Sequence, residues 1–228
     1  MMLYIVATPI GNLEDISQRA IHTLQSVDAI FCEDTRVTAK LLKHLGIAKP
    51  LYAYHQHSPE RTVTQIADSL REGMTLALVS DAGTPGINDP GGVLIARLLA
   101  LVEGLRVVPI PGPNAAVTAL SVSGFPADRW QYFGFIPHKK GRQTLFRELA
   151  AYPDTAVLYE SKHRIAKTLE QLEGAMETAG TPERRVLVAR ELTKQFETLY
   201  RGTAAQVRTA VAADKGLGEF VVVVGPRP

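Results

Sequence analysis

Short apolar runs alternate along the chain with segments whose apolar residues recur every three or four positions. Residues 3–7 form an unbroken β-type run, after which Ile16, Ala20, Ile21, Leu24 and Val27 fall on one helical face. The alternation continues with a strand at Ala29–Cys32, a helix reaching His44 and a strand at Leu51–Ala53. Val63, Ile66, Ala67 and Leu70 then mark a helix, 76–79 a strand, 93–102 a helix and Arg106–Ile110 a strand. The run 76–79 is apolar at every position, as in a strand buried on both faces of a sheet. Asp89 is the expected N-cap of the helix after it, with Pro90 at the first helical position. Strands and helices taking turns at this spacing predict βαβ units and a parallel sheet.

The rhythm changes after Pro111-Gly112-Pro113. Asn114 is placed to cap a small-residue helix over 115–122. Strands at 130–136 and 155–159 flank a helix at Arg142–Ala151, and Ile165, Leu169, Leu172 and Met176 mark another helix. Strands follow at 185–189, 197–201 and 220–224, with a helix at Ala204–Ala213. Strands outnumber helices here, which predicts a mixed sheet. The expected organisation is therefore two α/β domains, 1–113 with a parallel sheet and 114–228 with a mixed one.

Composition narrows the class. The 228 residues suffice for two cores, and 46% hydrophobic with 21% charged residues excludes wholesale disorder. Lys plus Arg number 25 against 23 Asp plus Glu, a net charge of +2. That is too balanced for a polycation and leaves room for a local basic patch. One cysteine, Cys32, excludes an internal disulfide and suits a reducing cytosol. The amino terminus lacks the basic flank of a signal peptide. The longest apolar stretch, near 93–102, is broken by Arg97 and is about half the ~20 residues a bilayer requires. These features predict a soluble cytoplasmic protein with no membrane span.

The chemistry is expected in turns that follow strands, because ligands of open α/β sheets sit beyond the strands' carboxyl ends. Three such turns are unusual: Thr8-Pro9-Ile10-Gly11-Asn12-Leu13, the run SDAGTPGINDPG from Ser80 to Gly91, and PIPGPNAA from Pro109 to Ala116. The middle run carries three Gly, two Pro and two Asp, more special residues than a plain connection needs. It offers a rigid backbone that a ligand can approach closely. No G-x-G-x-x-G follows the first strand, and Gly216 and Gly218 precede a strand instead. Phosphate-loop, zinc-protease and serine-esterase motifs are absent as well.

The run SDAGTPGINDPG resembles the defining motif of the ribosomal RNA small subunit methyltransferase I family, within the tetrapyrrole methylases. The likeness extends through TPIGNLEDIS, CEDTR, YHQH, PIPGPNAA, YESKHR and ARELTKQFE, in family order over nearly the whole chain. The resemblance implies S-adenosyl-L-methionine-dependent methylation of a cytidine ribose 2′-hydroxyl in 16S rRNA of the small ribosomal subunit. It also implies a homodimer, with the cofactor in the cleft between two α/β domains. By resemblance, the cofactor contacts are Ile10, Ser80, Asp81, Gly83, Thr84, Pro85, Ala115 and Ala116, with Tyr159 and Ala189 closing over them. Asp81 as a turn-former bonded to its own loop is the competing expectation. Family members continue past the last strand into a helical extension thought to help hold RNA. This sequence stops directly after that strand: either it has been trimmed and its net charge of +2 understates the RNA-binding surface, or RNA affinity is expected from the cleft, a basic loop and a second subunit.

The substrate side carries more alternatives. Glu33, Asp34 and Arg36 follow the second strand and either orient ribose and phosphate or form a structural ion pair at a helix start. Glu191 completes the catalytic candidates, and Glu160, Arg190 and Lys194 are expected beside it. His55 and His57, two apart in a strand-like context, are expected to point the same way. They are either a solvated or structural pair or residues with an RNA-contacting or base-catalytic role, with no Cys or third His nearby in sequence to favour a metal site. Lys139, Lys140 and Arg142, in the densest basic segment, and Arg164 are the remaining RNA candidates. Cys32 and Trp130 read as core. The rival functions are a tetrapyrrole-precursor methylase of the same fold and a non-catalytic ribosome-binding protein.

Overall fold

A computed structural model of the chain describes residues 1–214 and 218–228; Gly216 lies outside the described residues. These residues fall into two compact units, Met1–Asn114 and Ala115–Pro228.

In the first unit, strands β1 (Met2–Val6), β2 (Ala29–Cys32), β3 (Leu51–Ala53), β4 (Thr75–Val79) and β5 (Arg106–Ile110) form one sheet ordered β3-β2-β4-β1-β5. All its pairings are parallel. Helices α1 (Gln18–Ser26), α2 (Thr35–His44), α3 (Glu60–Arg71) and α4 (Gly91–Leu101) make the connections. The period of two along each strand sorts residues to opposite faces. Leu3, Ile5, Leu76 and Leu78 pack with Val63, Ile66 and Leu70 of α3 and Leu94 and Leu98 of α4. Val6, Ala77, Val79 and Ile110 pack on the other face with Ala20 and Leu24 of α1 and Leu42 of α2. This two-sided burial is why the 76–79 run is apolar throughout.

The connection leaving β1 crosses over β4, whereas the one leaving β4 crosses over β1 on the opposite face. Adjacent strands whose connections diverge in this way open a crevice at their carboxyl ends. The Asp89 expectation is corrected here. Pro90 is the N-cap of α4, and the Asp89 carboxylate instead accepts from the Gly86 and Gly91 amides at 2.8 and 2.7 Å.

In the second unit, β6 (Trp130–Phe135), β7 (Thr155–Ser161), β8 (Arg185–Arg190), β9 (Thr198–Thr203) and β10 (Glu219–Val224) form a sheet ordered β6-β7-β10-β8-β9. Only β6 and β7 are parallel, so the sheet is mixed. Helices α6 (Arg142–Ala151), α7 (Ile165–Thr178) and α8 (Ala204–Ala213) cover one face through Phe146, Leu149, Leu169, Leu172, Met176 and Val207. The short α5 (Ala115–Ser121) packs against β7 and β10. Cys32 is fully buried, whereas Trp130, expected in the core, is only half-buried on the edge strand β6. Among the described residues no helix is long and apolar enough to cross a membrane.

Candidate active site

The loops leaving β1, β4 and β5 are joined at the crevice. Thr8 and Gly83 exchange main-chain bonds, Thr8 N–H to Gly83 C=O at 2.9 Å and Gly83 N–H to Thr8 C=O at 3.0 Å. The buried Thr8 hydroxyl donates to the Ser80 carbonyl at 3.1 Å. The Thr84 hydroxyl donates to the Pro113 carbonyl at 3.0 Å, tying the β4 loop to the β5 loop. Ser80 is buried, with its hydroxyl 3.3 and 3.2 Å from the Ala82 and Gly83 carbonyls, so it braces the loop from inside. Gly83 sits at φ +83, where a side chain is strained. A Cβ there would lie 3.4 Å from Ile10 Cγ2 and 3.6 Å from the Pro113 carbonyl. Pro85 is buried, Ile10 and Thr84 are half-buried, and Asp81 stands exposed. Residues 8–13, 80–91 and 111–114 contain no Lys or Arg and expose Asp81 among main-chain carbonyls. A positively charged ligand centre suits such a surface.

An acidic group stands beside these loops. Asp34 is the N-cap of α2, its Oδ1 accepting from the Arg36 amide at 2.8 Å. Arg36 folds back onto the same carboxylate, with Nε 3.0 Å from Oδ1 and Nη2 2.6 Å from Oδ2. These bonds pull the Asp34 carboxyl down to about 2. The Asp81 Oδ1 accepts from the Asp34 amide at 3.0 Å, so Asp81 ties the β4 loop to the start of α2. Its bond is thus to a neighbouring loop. Glu33 is titrated upward, first by partial burial, then by the charges of Asp81 and Asp89, with His55 opposing. Among the described residues nothing is hydrogen-bonded to the Glu33 carboxylate, and no group of three His, Cys, Asp or Glu has the arrangement of a metal site.

His55 and His57 are corrected in context. They lie beyond β3 in a turn, exposed, and the His57 amide donates to His55 Nδ1 at 3.2 Å. Their rings stand 6.3 Å apart because the turn folds back, whatever the strand alternation suggested.

In the second unit the Tyr159 hydroxyl accepts from the Ala116 amide at 3.0 Å. Burial raises its pKa, and the rings of Tyr132 and Phe135 meet it edge-on at 5.3 and 5.5 Å. Ala116 and Ala189 are buried and Ala115 half-buried. Glu191, at φ 51, accepts from Lys194 Nζ at 2.9 Å and from the Glu219 amide at 2.8 Å. Those bonds outweigh its partial burial and hold its carboxyl below the usual range, a poor setting for a base.

Lys139 and Lys140 are exposed on the loop between β6 and α6. Arg142 is not on that exposed surface. It is the first residue of α6, 7% exposed, and its guanidinium donates to Gln171, Thr168 and the Pro137 carbonyl. Arg164 is likewise turned inward, onto the fully buried carboxylate of Glu160. A basic segment read from sequence does not distinguish cations facing solvent from those that neutralise an interior acid. Thr8 belongs to a turn that the sequence marks as unusual, but its own signal there is only its place between an apolar strand and a proline.

The profile of the family described as Tetrapyrrole (Corrin/Porphyrin) Methylases matches residues 2–208. The chain belongs to the tetrapyrrole methylases. Curated relatives narrow the branch. The chain is 46% identical over 225 residues to Ribosomal RNA small subunit methyltransferase I of Escherichia coli O157:H7, spanning 97% of this chain and 77% of that protein. It is 48% identical over 228 residues to the protein of the same name from Xylella fastidiosa strain Temecula1, spanning 97% and 80%. Among solved structures, diphthine synthase superposes with a TM-score of 0.74 at 13% identity, covering 99% of this chain and 90% of that one. At that identity the likeness shows the fold alone. In this tetrapyrrole methylase the loops after β1, β4 and β5 are the part of the parallel-sheet unit with a built, cation-compatible surface.

Proposed function

We propose that this chain methylates the ribose 2′-hydroxyl of a cytidine in 16S rRNA, within the small ribosomal subunit, using S-adenosyl-L-methionine. The observation that carries the reading is the Thr8–Gly83 bridge. Together with the Thr84–Pro113 bond it draws the three strand-end loops into one surface free of Lys and Arg at the crevice of the sheet. Family membership supports methyl transfer, and the names of the relatives support an RNA substrate. A tetrapyrrole precursor is the less favoured substrate because the curated relatives at 46% and 48% identity are named for ribosomal RNA.

S-adenosyl-L-methionine would supply an electrophilic sulfonium methyl, which a ribose oxygen accepts as the carbon–sulfur bond breaks. Main-chain carbonyls of the β4 loop and Asp81 stabilise the positive centre, with Ile10 packed beside Gly83. Glu33 takes the hydroxyl proton, since Asp34 is committed to Arg36 and Glu191 to Lys194. Arg36, its side chain 86% exposed, and Lys139 and Lys140 draw in phosphates, with His55 and His57 on the rim of the first unit's loops. The proposed setting is the cytoplasm, with a homodimer as the working species.

Calorimetry with S-adenosyl-L-methionine comes first, and no binding at millimolar cofactor would remove the methylase reading. Cofactor labelled in the methyl group is then incubated with small ribosomal subunits, and the RNA is digested to nucleosides. Label in 2′-O-methylcytidine is expected. Binding without transfer would point to a ribosome-binding protein that retains the pocket.

A further inference from the structure

The Glu160 carboxylate near the end of β7 has no exposed side-chain surface, yet it faces the Ser161 amide, Arg164 at the N-cap of α7, Thr168 within α7 and Arg142 at the start of α6. Its Oε1 accepts from the Ser161 amide at 2.8 Å and lies 2.9 Å from Arg164 Nε. Its Oε2 accepts from the Thr168 hydroxyl at 2.6 Å and from Arg164 Nη2 at 3.0 Å. Arg142 Nη1 stands 3.8 Å from the same oxygen, and Arg142 Nη2 donates to the Thr168 hydroxyl at 2.8 Å. Thr168 thus spends its one proton on the acid while accepting from the arginine.

The two arginines also reach outward to one segment. Arg164 Nη2 donates to the Ile136 carbonyl, and Arg142 Nη1 to the Pro137 carbonyl at 3.3 Å. Ile136 is buried, and residues 137–141 after it are exposed. That exposed stretch holds His138, Lys139 and Lys140 and ends at Gly141, directly before α6. A buried ion pair adds little net stability, but removing one partner strands the other charge, so the pair ties its neighbours to one arrangement. Here the arrangement fixed is the root of the basic loop.

We propose that Glu160 is a positioning residue: through Arg142 and Arg164 it holds the Ile136 and Pro137 carbonyls so that Lys139 and Lys140 are presented in one place to the phosphates of the RNA. The inference rests on the reading that the basic loop contacts RNA. Removing the carboxylate leaves two buried guanidinium groups competing for carbonyls, and the loop root loses its single geometry.

The test compares Glu160→Gln, Arg164→Lys and the pair Lys139→Glu with Lys140→Glu, each in the full chain. Two readouts are taken, methylation of small ribosomal subunits and the rate of tryptic cleavage after Lys139 and Lys140, a measure that needs no RNA. Glu160→Gln is expected to speed that cleavage by about tenfold and to raise KM for subunits by about tenfold. Its Kd for S-adenosyl-L-methionine should not change. Arg164→Lys, which keeps the charge but loses the fork, is expected to show a smaller effect of the same kind. It serves if Glu160→Gln does not fold. Unchanged cleavage in both variants overturns the clamp. So does normal KM in Glu160→Gln when the double lysine variant is impaired. An unimpaired double lysine variant overturns instead the reading that the loop contacts RNA, and tryptic cleavage still decides whether Glu160 holds it.

Discussion

The carboxylate of Asp81 accepts a hydrogen bond from the main-chain amide of Asp34 at 3.0 Å, linking the loop after β4 to the start of α2. The two segments are 47 residues apart in sequence. One oxygen of Asp81 is therefore structural, and its charge remains at the lip of the proposed cofactor site. Asp81→Ala removes both and is expected to weaken S-adenosyl-L-methionine binding about tenfold and stability by about 1 kcal/mol. Asp81→Asn keeps an acceptor for the Asp34 amide and removes the charge. It should restore stability while leaving cofactor binding weakened. Calorimetry and thermal unfolding on both variants check this. Full recovery of affinity in Asp81→Asn would mean that Asp81 acts only through the backbone.

The Thr8–Gly83 bridge makes a second prediction. Gly83→Ala places an L-residue at φ +83, with its Cβ 3.4 Å from Ile10 Cγ2. The space is adequate, so the cost is conformational, about 1 kcal/mol, and Tm should fall by a few degrees. The added methyl lies against Ile10, so the Kd of S-adenosyl-L-methionine should rise more than the small loss of stability explains. Unchanged affinity would take Gly83 out of the cofactor surface.

Much of this was legible in the sequence because period and burial coincide. The expected strands at Ala29–Cys32, Leu51–Ala53 and Arg106–Ile110 and the helices at Arg142–Ala151 and Ala204–Ala213 appear with the same ends. Their apolar runs are short and bounded by Gly, Pro or capping residues. Three features were not legible, two because they depend on local backbone geometry and one because it depends on contacts between elements. The Asp89 carboxylate bonds the Gly86 amide of its loop and the Gly91 amide at the first residue of α4, which starts one residue later than expected. The histidines fall past the end of a three-residue strand. Arg142 and Arg164 turn inward because Glu160 is buried beneath them, and nothing local to HKKGR or SKHR signals an interior acid.

Asp34 gives a pH dependence with a definite sign. Its folded pKa of about 2 lies below the ordinary 3.8, so its contribution to stability is fully present above that ordinary value. It is lost as pH falls toward 2. The carboxylate and Arg36 are solvent-screened, so the effect is small. Thermal unfolding of the native chain and Asp34→Asn should differ most above pH ~4, and the gap should narrow as pH falls through about 2. A gap as wide at pH 2 as at neutral pH would assign the difference to packing or to the lost cap.

Glu33 behaves in the opposite sense. Partial burial and the charges of Asp81 and Asp89 raise its pKa, so ionising it opposes folding. Stability from this site is greatest below the unfolded value and declines as pH rises through the folded one. If Glu33 is the proton acceptor, kcat should rise with pH as it ionises. Glu33→Gln should remove that limb and lower kcat by about a hundredfold or more, with cofactor affinity unchanged. The same variant should be slightly more stable than the native chain at neutral pH, where the repulsion is relieved. Retained kcat together with a flat stability profile would assign proton removal to water.

Arg184 carries the strongest prediction for the fold of the second unit. It is 1% exposed, and burial, reinforced by the charge of Arg227, lowers its pKa to about 10. Its donors go to main-chain carbonyls: Gly225 at 2.6 Å, Leu149 at 2.9 Å, Ala150 at 3.3 Å and Asp154 at 3.1 Å. Leu149 and Ala150 lie in the last turn of α6, whose carbonyls have no helical partner. The guanidinium therefore caps that helix and pins the end of β10 beside it, using the favourable charge at a helix C-terminus. Arg184→Met keeps much of the volume but strands three buried acceptors and one part-buried one. It should cost about 3–5 kcal/mol, read as a lower urea midpoint at unchanged slope. Arg184→Lys supplies three donors from a single point and cannot span all four carbonyls, so it should recover only part of the loss. Equal stability of the Met and Lys variants would show that the planar fork, more than the charge, is what the site requires.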